Sequence, residues 1–433
     1  MITVGLTGNV AAGKSAVARA WSQAGIPVLS ADELARQAVA PGTPGLAEVV
    51  AAFGPHVLDS RGAMDRDRMR DRVFRDPEAR ARLEGIIHPR VREGRDRWLR
   101  ERRGDGETLA VVEIPLLFEI GAQDQVDRVV VVDAPPEERL RRLVEIRGLD
   151  PDEARRVMAS QMDPETKRAG AHHVVENGGD LDALRRRAAL VLAALLPEED
   201  PPGVLVPDFS SRPPAGWMRV DLHLHTRASW DSLSDPEALL ARARERGVTR
   251  LALTDHDTLA LSLELAARYP EAVIPGEEVR TAEGIDVIGL YLREGIPRRT
   301  PAREVIRCVR EQGGVAYLPH PYAPGKGGGG RLAEDLAPLV DVVEVFNARL
   351  HPADRNDPAG ALAHRFARLR GAGSDAHLVG EVAGAWVEVP EHPNTPEGLR
   401  WALRRGRPAG REASRLVHLG STWAKLRQKL PGG

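Results

Sequence analysis

Residues 2–23 read ITVGLTGNVAAGKSAVARAWSQ. ITVGLT is short, β-branched and almost wholly apolar, as a strand covered on both faces of a parallel sheet is. From Ser15 the sequence has the spacing of a helix. The connecting residues 8–15, GNVAAGKS, fit G-x-x-x-x-G-K-[ST] in the strand–loop–helix context that motif requires. Gly8 and Gly13 allow a bend through Asn9, Val10, Ala11 and Ala12 that turns successive N–H groups inward, and the helix N-terminus adds positive potential for an anion. Lys14 then reaches the β/γ-phosphates of a nucleotide and Ser15 ligates Mg²⁺. A chance Gly-rich turn would need neither flanking element.

Outward from this loop, the first half alternates strand-like runs (LAVVEI, RVVVVD) with helical stretches, the longest over roughly residues 66–103. Residues 197–217, PEEDPPGVLVPDFSSRPPAGW, hold six prolines and read as a linker. The expected division is 1–196, linker 197–217, a second domain 218–410 and a basic tail 411–433. The second half alternates too: RVDLHLH, RLALTD, DVIGLYL, GVAYLP, DVVEVFN and RGAGSD are separated by helical patterns such as SDPEALLARARERG, with a capping residue, a proline at its start and a glycine at its end. Both halves are therefore α/β.

The 433 residues suit two or three domains of about 150. Lys plus Arg number 61 and Asp plus Glu 63, a net charge of −2, which argues against a general DNA-coating protein. The lone Cys308 excludes an intramolecular disulfide and an all-thiolate zinc site. No apolar run reaches the ~18 residues of a membrane span, so no membrane partner and a cytoplasmic location are expected. Oligomeric state is not legible.

Over roughly residues 1–196 the sequence resembles the dephospho-CoA kinases. The resemblance rests on GLTGNVAAGKS, the SAD of 30–32, FG…MDRDRMRDRVFRDPEARARLEGIIHP up to Pro89, EIPLLFE at 113–119, APPEERLRRL at 134–143 and ENGG at 176–179. It implies a P-loop sheet with a helical lid and acceptor region, using ATP and Mg²⁺ to phosphorylate the ribose 3′-hydroxyl of dephospho-CoA. Asp32 matches the carboxylate that serves as base; its other reading is a helix N-cap before ELARQAV. Arg142 matches a lid arginine that meets the transferring phosphates, or else is one exposed charge among several. The departures are Ser30 for the first carboxylate of a DAD motif, the loop interior NVAA, Ile146 at the second lid-arginine position with Arg147 one residue later, and His172–His173 before the last strand. A small-molecule kinase with another acceptor is the alternative.

Nine of the thirteen histidines lie in the second half. His223 and His225 alternate in VDLHLHT, so on a strand both point to one face. Asp231 follows in the adjoining loop, Asp255 and His256 end LALTDH, and Glu277 and Glu278 follow Pro275–Gly276. Asp286 opens DVIGL, His320 follows GVAYLP, and Asp375 and His377 end GAGSDAH. Imidazoles and carboxylates repeated at strand ends are what a metal centre at a barrel mouth needs.

In order, HxH, SWD, TDHDT, GEEV, HP and GSDAH resemble the polymerase and histidinol phosphatase (PHP) family, over roughly 218–410. That resemblance implies a distorted (β/α)7 barrel binding two or three divalent metals, Mn²⁺, Fe²⁺, Mg²⁺ or Zn²⁺. His223, His225, Glu278 and Asp375 hold one; Glu278 bridges to a second at His320; Asp231, His256 and His377 hold a third. Asp286 stands where related phosphoesterases often have histidine, and Asp255 orients ligands or moves protons. The implied reaction is phosphoester hydrolysis by a water shared between ions. Lys326, Arg331 and Arg349 are candidates for binding substrate phosphate. The fusion joins a maker of 3′-phosphoadenosine groups to a phosphoesterase, so 3′-phosphorylated nucleotides or short nucleic acid are expected at the second site. The alternative is a PHP half that only stabilises or regulates the kinase.

Overall fold

The computed structural model describes residues 1–196, 204–206, 211–324 and 327–413. Lys326, most of the expected linker and the tail beyond residue 413 lie outside the described residues. Two compact units form: Met1–Ser22 with Ile26–Val191, and Gln23–Gly25 with Leu192 onward.

The first unit is a five-stranded, all-parallel sheet of β1 (Ile2–Thr7), β2 (Val28–Ser30), β3 (Leu109–Glu113), β4 (Arg128–Asp133) and β5 (His173–Glu176), in the order β2-β3-β1-β4-β5. The middle strands are buried almost throughout, because Val4, Leu6, Val111, Val112, Val130 and Val132 are all at 0% exposure. β1 sits at the centre with β3 and β4 beside it, so the loop after Thr7 emerges where the strand order reverses. In such sheets that crevice, at the carboxyl ends of the strands, receives ligands. The helix Lys14–Gln23 leaves this loop, and Trp21 anchors it by donating from Nε1 to the Ala188 carbonyl at 2.8 Å. The helical stretch read from sequence is two helices, Arg66–Arg75 and Pro77–Gly104, broken where Asp76 caps the second from Glu78 and Ala79.

The second unit is a nine-stranded sheet. β6 (Trp217–Leu224), β7 (Arg250–His256), β8 (Val273–Arg280), β9 (Asp286–Leu290), β10 (Val315–Leu318), β11 (Val342–Asn347) and β12 (Leu369–Gly373) follow one another in space, and β13 (Ala385–Pro390) and β14 (Arg407–Gly410) extend beyond β6. β12 also meets β6: His225 N–H donates to the Ala376 carbonyl at 2.9 Å and Asp375 N–H to the His223 carbonyl at 2.7 Å. These contacts draw the seven strands β6–β12 into a nearly closed barrel, the distorted seven-stranded architecture expected.

Within these seven strands one runs the other way. β9 is antiparallel to both β8 and β10, with Arg280 opposite Asp286. Asp286, at the start of its strand, thereby reaches the same mouth as ligands at the ends of the others. Helix Pro236–Glu245 starts as its sequence reads, with Asp235 accepting from Ala238 N–H at 3.1 Å. β6 begins at Trp217, the last residue of the expected linker. Leu205, inside that linker, pairs with β14 through Leu205 N–H to the Pro408 carbonyl at 2.9 Å. The start of the tail is docked as well, with Ala413 N–H donating to the Ala348 carbonyl at 2.8 Å.

Asp221 locks the closure from inside. Fully buried, it accepts from Ser374 N–H at 2.9 Å and Ala383 N–H at 3.1 Å, joining β6 to the chain after β12. Replacing Asp221 with alanine strands those donors, and is expected to lower the stability of this unit by about 3 kcal/mol; a urea unfolding transition that does not move would contradict this.

Candidate active sites

In the first unit the loop after β1 is held from outside. The carbonyl of Val10 accepts from Arg139 Nε at 3.1 Å, that of Ala11 from Arg142 at 3.1 Å, and that of Ala12 from Asn177 Nδ2 at 2.7 Å. Gly8 and Gly13 have φ of +142° and +103°, and a Cβ on Gly8 would fall 2.1 Å from the Val132 carbonyl oxygen. Side chains are thus excluded at both positions. Two amides in the expected cradle are already engaged, Val10 N–H with Gln161 Oε1 at 2.9 Å and Ala12 N–H with the Asn9 carbonyl at 3.2 Å.

Lys14 Nζ folds back on the Gly8 and Asn9 carbonyls at 2.7 and 3.3 Å. Burial pushes its ammonium down to about 8, against the opposing pull of Glu113. Glu113, which sequence reasoning did not single out, ends β3 and accepts from Ser15 Oγ at 3.3 Å; burial raises its carboxyl and Lys14 lowers it. A carboxylate beside the P-loop hydroxyl is the usual pairing for Mg²⁺. Asp32 is exposed on the helix Ala31–Ala38. It is not the N-cap: Ser30 Oγ accepts from Glu33 N–H at 3.3 Å and holds that position.

The lid departure resolves differently from its sequence register. Residues Arg142–Ile146 form a π-helical turn in which Arg147 N–H donates to the Arg142 carbonyl, five residues back, at 3.2 Å. The wider turn stacks residues five apart rather than four. Arg142 and Arg147 accordingly both line a cavity of about 220 Å³ with Lys14, Ser15 and Gly13. Ile146 shares that cavity but is 73% exposed. His172 and His173 sit at the amino end of β5, the opposite sheet edge, where His172 Nδ1 meets Val129 N–H at 3.0 Å.

In the second unit, His223 Nε2 lies 3.3 Å from Glu278 Oε2 and 3.2 Å from His225 Nε2, while His225 Nε2 lies 3.3 Å from both Glu278 Oε2 and Asp375 Oδ1. Ligand atoms about 2.1 Å from a tetrahedral ion stand about 3.4 Å apart. His223, His225 and Glu278 already have that spacing, and Asp375 Oδ1 stands 3.3 Å from His225 and 3.8 Å from His223. Glu278 Oε1 reaches His320 Nε2 at 3.1 Å, with Asp286 close enough to complete a second group. Asp231 Oδ2 lies 3.2 Å from His377 Nε2 and 3.5 Å from His256 Nε2, and His256 Nδ1 is 3.2 Å from Glu278.

All nine expected ligands therefore converge. Burial opposes charge at His223 and at Glu278, yet neighbours of opposite sign win there: Glu344, Glu278 and Asp375 hold the His223 imidazole well above its usual range, and the imidazoles around Glu278 hold its carboxyl low. His320 (φ +26°) and Asp375 (φ +50°) adopt left-handed backbone, strain of the kind found where function fixes a side chain. Asp286 differs from the rest. Arg280 Nε sits 2.6 Å from its Oδ1, and burial pushes the carboxyl up to about 7.

A layer behind the ligands was not read from sequence. Glu344, wholly buried in β11, takes His223 Nδ1 at 3.1 Å, Tyr317 hydroxyl at 3.0 Å and His320 N–H at 2.7 Å. A carboxylate inside the apolar run VVEVF was its one signal. Asp255 belongs to this layer: both its oxygens accept from Thr226, at 2.6 and 2.7 Å, and it does not line the cavity. Of the phosphate-binding candidates, Arg349 lines the cavity, exposed Arg331 does not, and Arg280 is an addition.

Fold and sites together define a P-loop phosphotransferase joined to a barrel with a polynuclear metal-binding mouth. Comparison makes this particular. A family model for dephospho-CoA kinase matches residues 2–183, one for the PHP domain matches 221–313, and a PHP-associated model matches 353–408. The dephospho-CoA kinase of Frankia casuarinae is 47% identical over 200 residues, 46% of this chain and 86% of that protein. Among solved structures, one from Thermus thermophilus is 38% identical over 45% of this chain and 98% of its own (TM-score 0.40). A two-domain Bacteroides vulgatus protein with a PHP-like metal-dependent phosphoesterase is 20% identical over 53% of this chain and 75% of its own (TM-score 0.37). The chain belongs to the dephospho-CoA kinase family and carries, in addition, a PHP domain. Among the described residues no helix is long and apolar enough to cross a membrane.

Two outcomes are expected. Glu344→Gln leaves the first-row ligands in place but weakens their orientation, so metal retention on dialysis should fall about 10- to 100-fold; unchanged retention would contradict the role given to Glu344. Lys14 loses its charge as pH rises through about 8, so kcat/KM for ATP should be level below that pH and fall about tenfold per unit above it. A profile flat to pH 10 would exclude Lys14 as the phosphate-binding cation.

Proposed function

We propose that the chain carries two phosphoryl-transfer activities of opposite sense, divided between residues 1–196 and 218–410. The first passes the γ-phosphoryl group of ATP to the ribose 3′-hydroxyl of dephospho-CoA. Membership of the kinase family supports this, as does the gathering of Lys14, Ser15, Arg142 and Arg147 around one cavity with Glu113 behind Ser15. Lys14 exchanges loop carbonyls for phosphate oxygens, Ser15 and Glu113 hold Mg²⁺, and the two arginines offset charge on the transferring group. Asp32, exposed beside the cradle, takes the proton of the acceptor hydroxyl.

The second activity is phosphoester hydrolysis. The observation that carries it is the gathering of donors at the barrel mouth, with His223, His225 and Glu278 at tetrahedral spacing and Asp375 3.3 Å from His225. When bound, divalent cations supply Lewis-acid charge at the phosphoryl group and acidify water. Glu278 joins the groups of ligands, Asp231, His256 and His377 form the outermost, and Asp286 serves the group at His320. A donor set this rich in carboxylate suits Mn²⁺, Fe²⁺ or Mg²⁺ as well as Zn²⁺. The substrate is a 3′-phosphorylated nucleotide, the group that the kinase half builds.

Assays on the full chain test both halves. Lys14→Ala should cut kinase turnover by about 100-fold or more and leave Mn²⁺-dependent hydrolysis intact; His225→Ala should do the reverse. No hydrolysis of 3′,5′-bisphosphates or of short oligonucleotides with Mn²⁺ would overturn the second activity, and phosphorylation of nucleosides or shikimate in place of dephospho-CoA would overturn the first.

A further inference from the structure

Arg139, Arg141 and Arg142 crowd one short stretch of the kinase half, and the structure treats them differently. Arg141 is exposed and pairs with Glu138 and Glu145, each at 2.9 Å. Arg142 lines the phosphate cavity. Arg139 does neither: it is 2% exposed and does not line that cavity. A cation so buried needs acceptors close by. Its Nε donates to the Val10 carbonyl at 3.1 Å, and its Nη2 donates to Gln161 Oε1 at 3.2 Å. The same Gln161 oxygen accepts from Val10 N–H at 2.9 Å. Val10 is thus gripped on both sides, its N–H by Gln161 and its carbonyl by Arg139, and the two side chains are bonded to each other. Three hydrogen bonds close a triangle on the phosphate loop.

Gln161 comes from a part of the chain far from the loop in sequence, between the helices Pro151–Ala159 and Pro164–Ala169. The second of these is pinned at the carboxyl ends of the strands. Lys167, 1% exposed, meets Glu119 at 2.7 Å, and Arg168 pairs with Asp133 of β4 and Glu176 of β5, each at 2.8 Å. Beside Gln161, the Met162 carbonyl accepts from Asn9 Nδ2 at 3.1 Å. Gln161 is therefore presented by an anchored segment. Arg139 sits on the helix Pro136–Arg141, three residues before Arg142 and on the same face. Arg142 holds the next loop carbonyl, that of Ala11, at 3.1 Å. Fixing Arg139 against Val10 thus also fixes where Arg142 stands. We propose that Gln161 is a positioning residue of the kinase: acting as a hydrogen-bond acceptor, it locks Arg139 to Val10 and so sets the phosphate loop and Arg142 in register for ATP. The inference rests on the kinase reading above and adds a residue that acts through the loop. Both bonds to Gln161 use its oxygen, and a carboxylate offers the same acceptor with a stronger pull on a guanidinium. Gln161→Glu should therefore preserve the triangle, although it brings negative charge toward a site that receives a triphosphate.

The test measures dephospho-CoA phosphorylation by the full chain and by Gln161→Ala and Gln161→Glu, with KM determined separately for ATP and for dephospho-CoA. Gln161→Ala leaves Val10 N–H and Arg139 without their acceptor, so KM for ATP should rise about 10-fold or more, the worth of one hydrogen bond to a charged group. KM for dephospho-CoA should not move. Gln161→Glu should keep both constants at the parent values. Calorimetric titration with a non-hydrolysable ATP analogue should give the same order, with Gln161→Glu binding like the parent and Gln161→Ala more weakly. If Gln161→Ala binds ATP as the parent does, or weakens both substrates equally, the positioning role is wrong while the kinase stands. If Gln161→Glu loses as much ATP affinity as Gln161→Ala, or loses 10-fold where Gln161→Ala does not fold, the acceptor role is wrong. If the parent protein does not phosphorylate dephospho-CoA, the kinase reading itself falls and this inference with it.

Discussion

The carboxylate of Glu278 lies within 3.3 Å of four imidazoles, those of His223, His225, His256 and His320. It is 1% exposed, so its charge cannot be met by water and must be met by partners. Everything around the barrel mouth follows from that requirement. β8 carries it, β6 and β7 bring three of the histidines, and the chain after β10 brings the fourth. Left-handed backbone at His320 and Asp375 lets residues just past strand ends turn back toward the same point. Desolvating so many ionisable groups is costly, and the imidazoles around Glu278 offset part of that cost by holding its carboxylate charged.

The two domains meet the same need by opposite means. The kinase half presents backbone, stiffened by arginine and asparagine side chains on the loop carbonyls; the barrel presents side chains, stiffened by Glu344, Asp255 and Asp221. In both, the reactive groups gather at one end of the sheet, where loops leave a rigid scaffold. The π-helical turn at Arg142–Ile146 shows how local geometry serves this placement: one extra residue per turn brings Arg147 to the phosphate cavity.

Much of this was legible in the sequence because polar residues at strand ends stand out against apolar runs. GNVAAGKS and the histidine pairs are of that kind, and both α/β architectures follow from the alternation around them. Three things were not legible. Glu344 and Glu113 sit within or at the end of strands whose other residues are apolar, so their partners are visible only once distant strands are side by side. The resemblance put Ile146 at the second lid-arginine position, and the wider turn over 142–146 that brings Arg147 to the same cavity has no signal in the sequence. Antiparallel β9 places Arg280 beside Asp286, a pairing set by strand direction, which one strand-like run does not reveal.

The shared role of Glu278 is the claim most directly measurable. Metal analysis of the full chain, loaded with Mn²⁺ and desalted, should find two or more ions in the parent protein, and Glu278→Ala should lose ions from more than one site together. Equal metal content in the two proteins, or none in the parent, would contradict a centre built on that carboxylate.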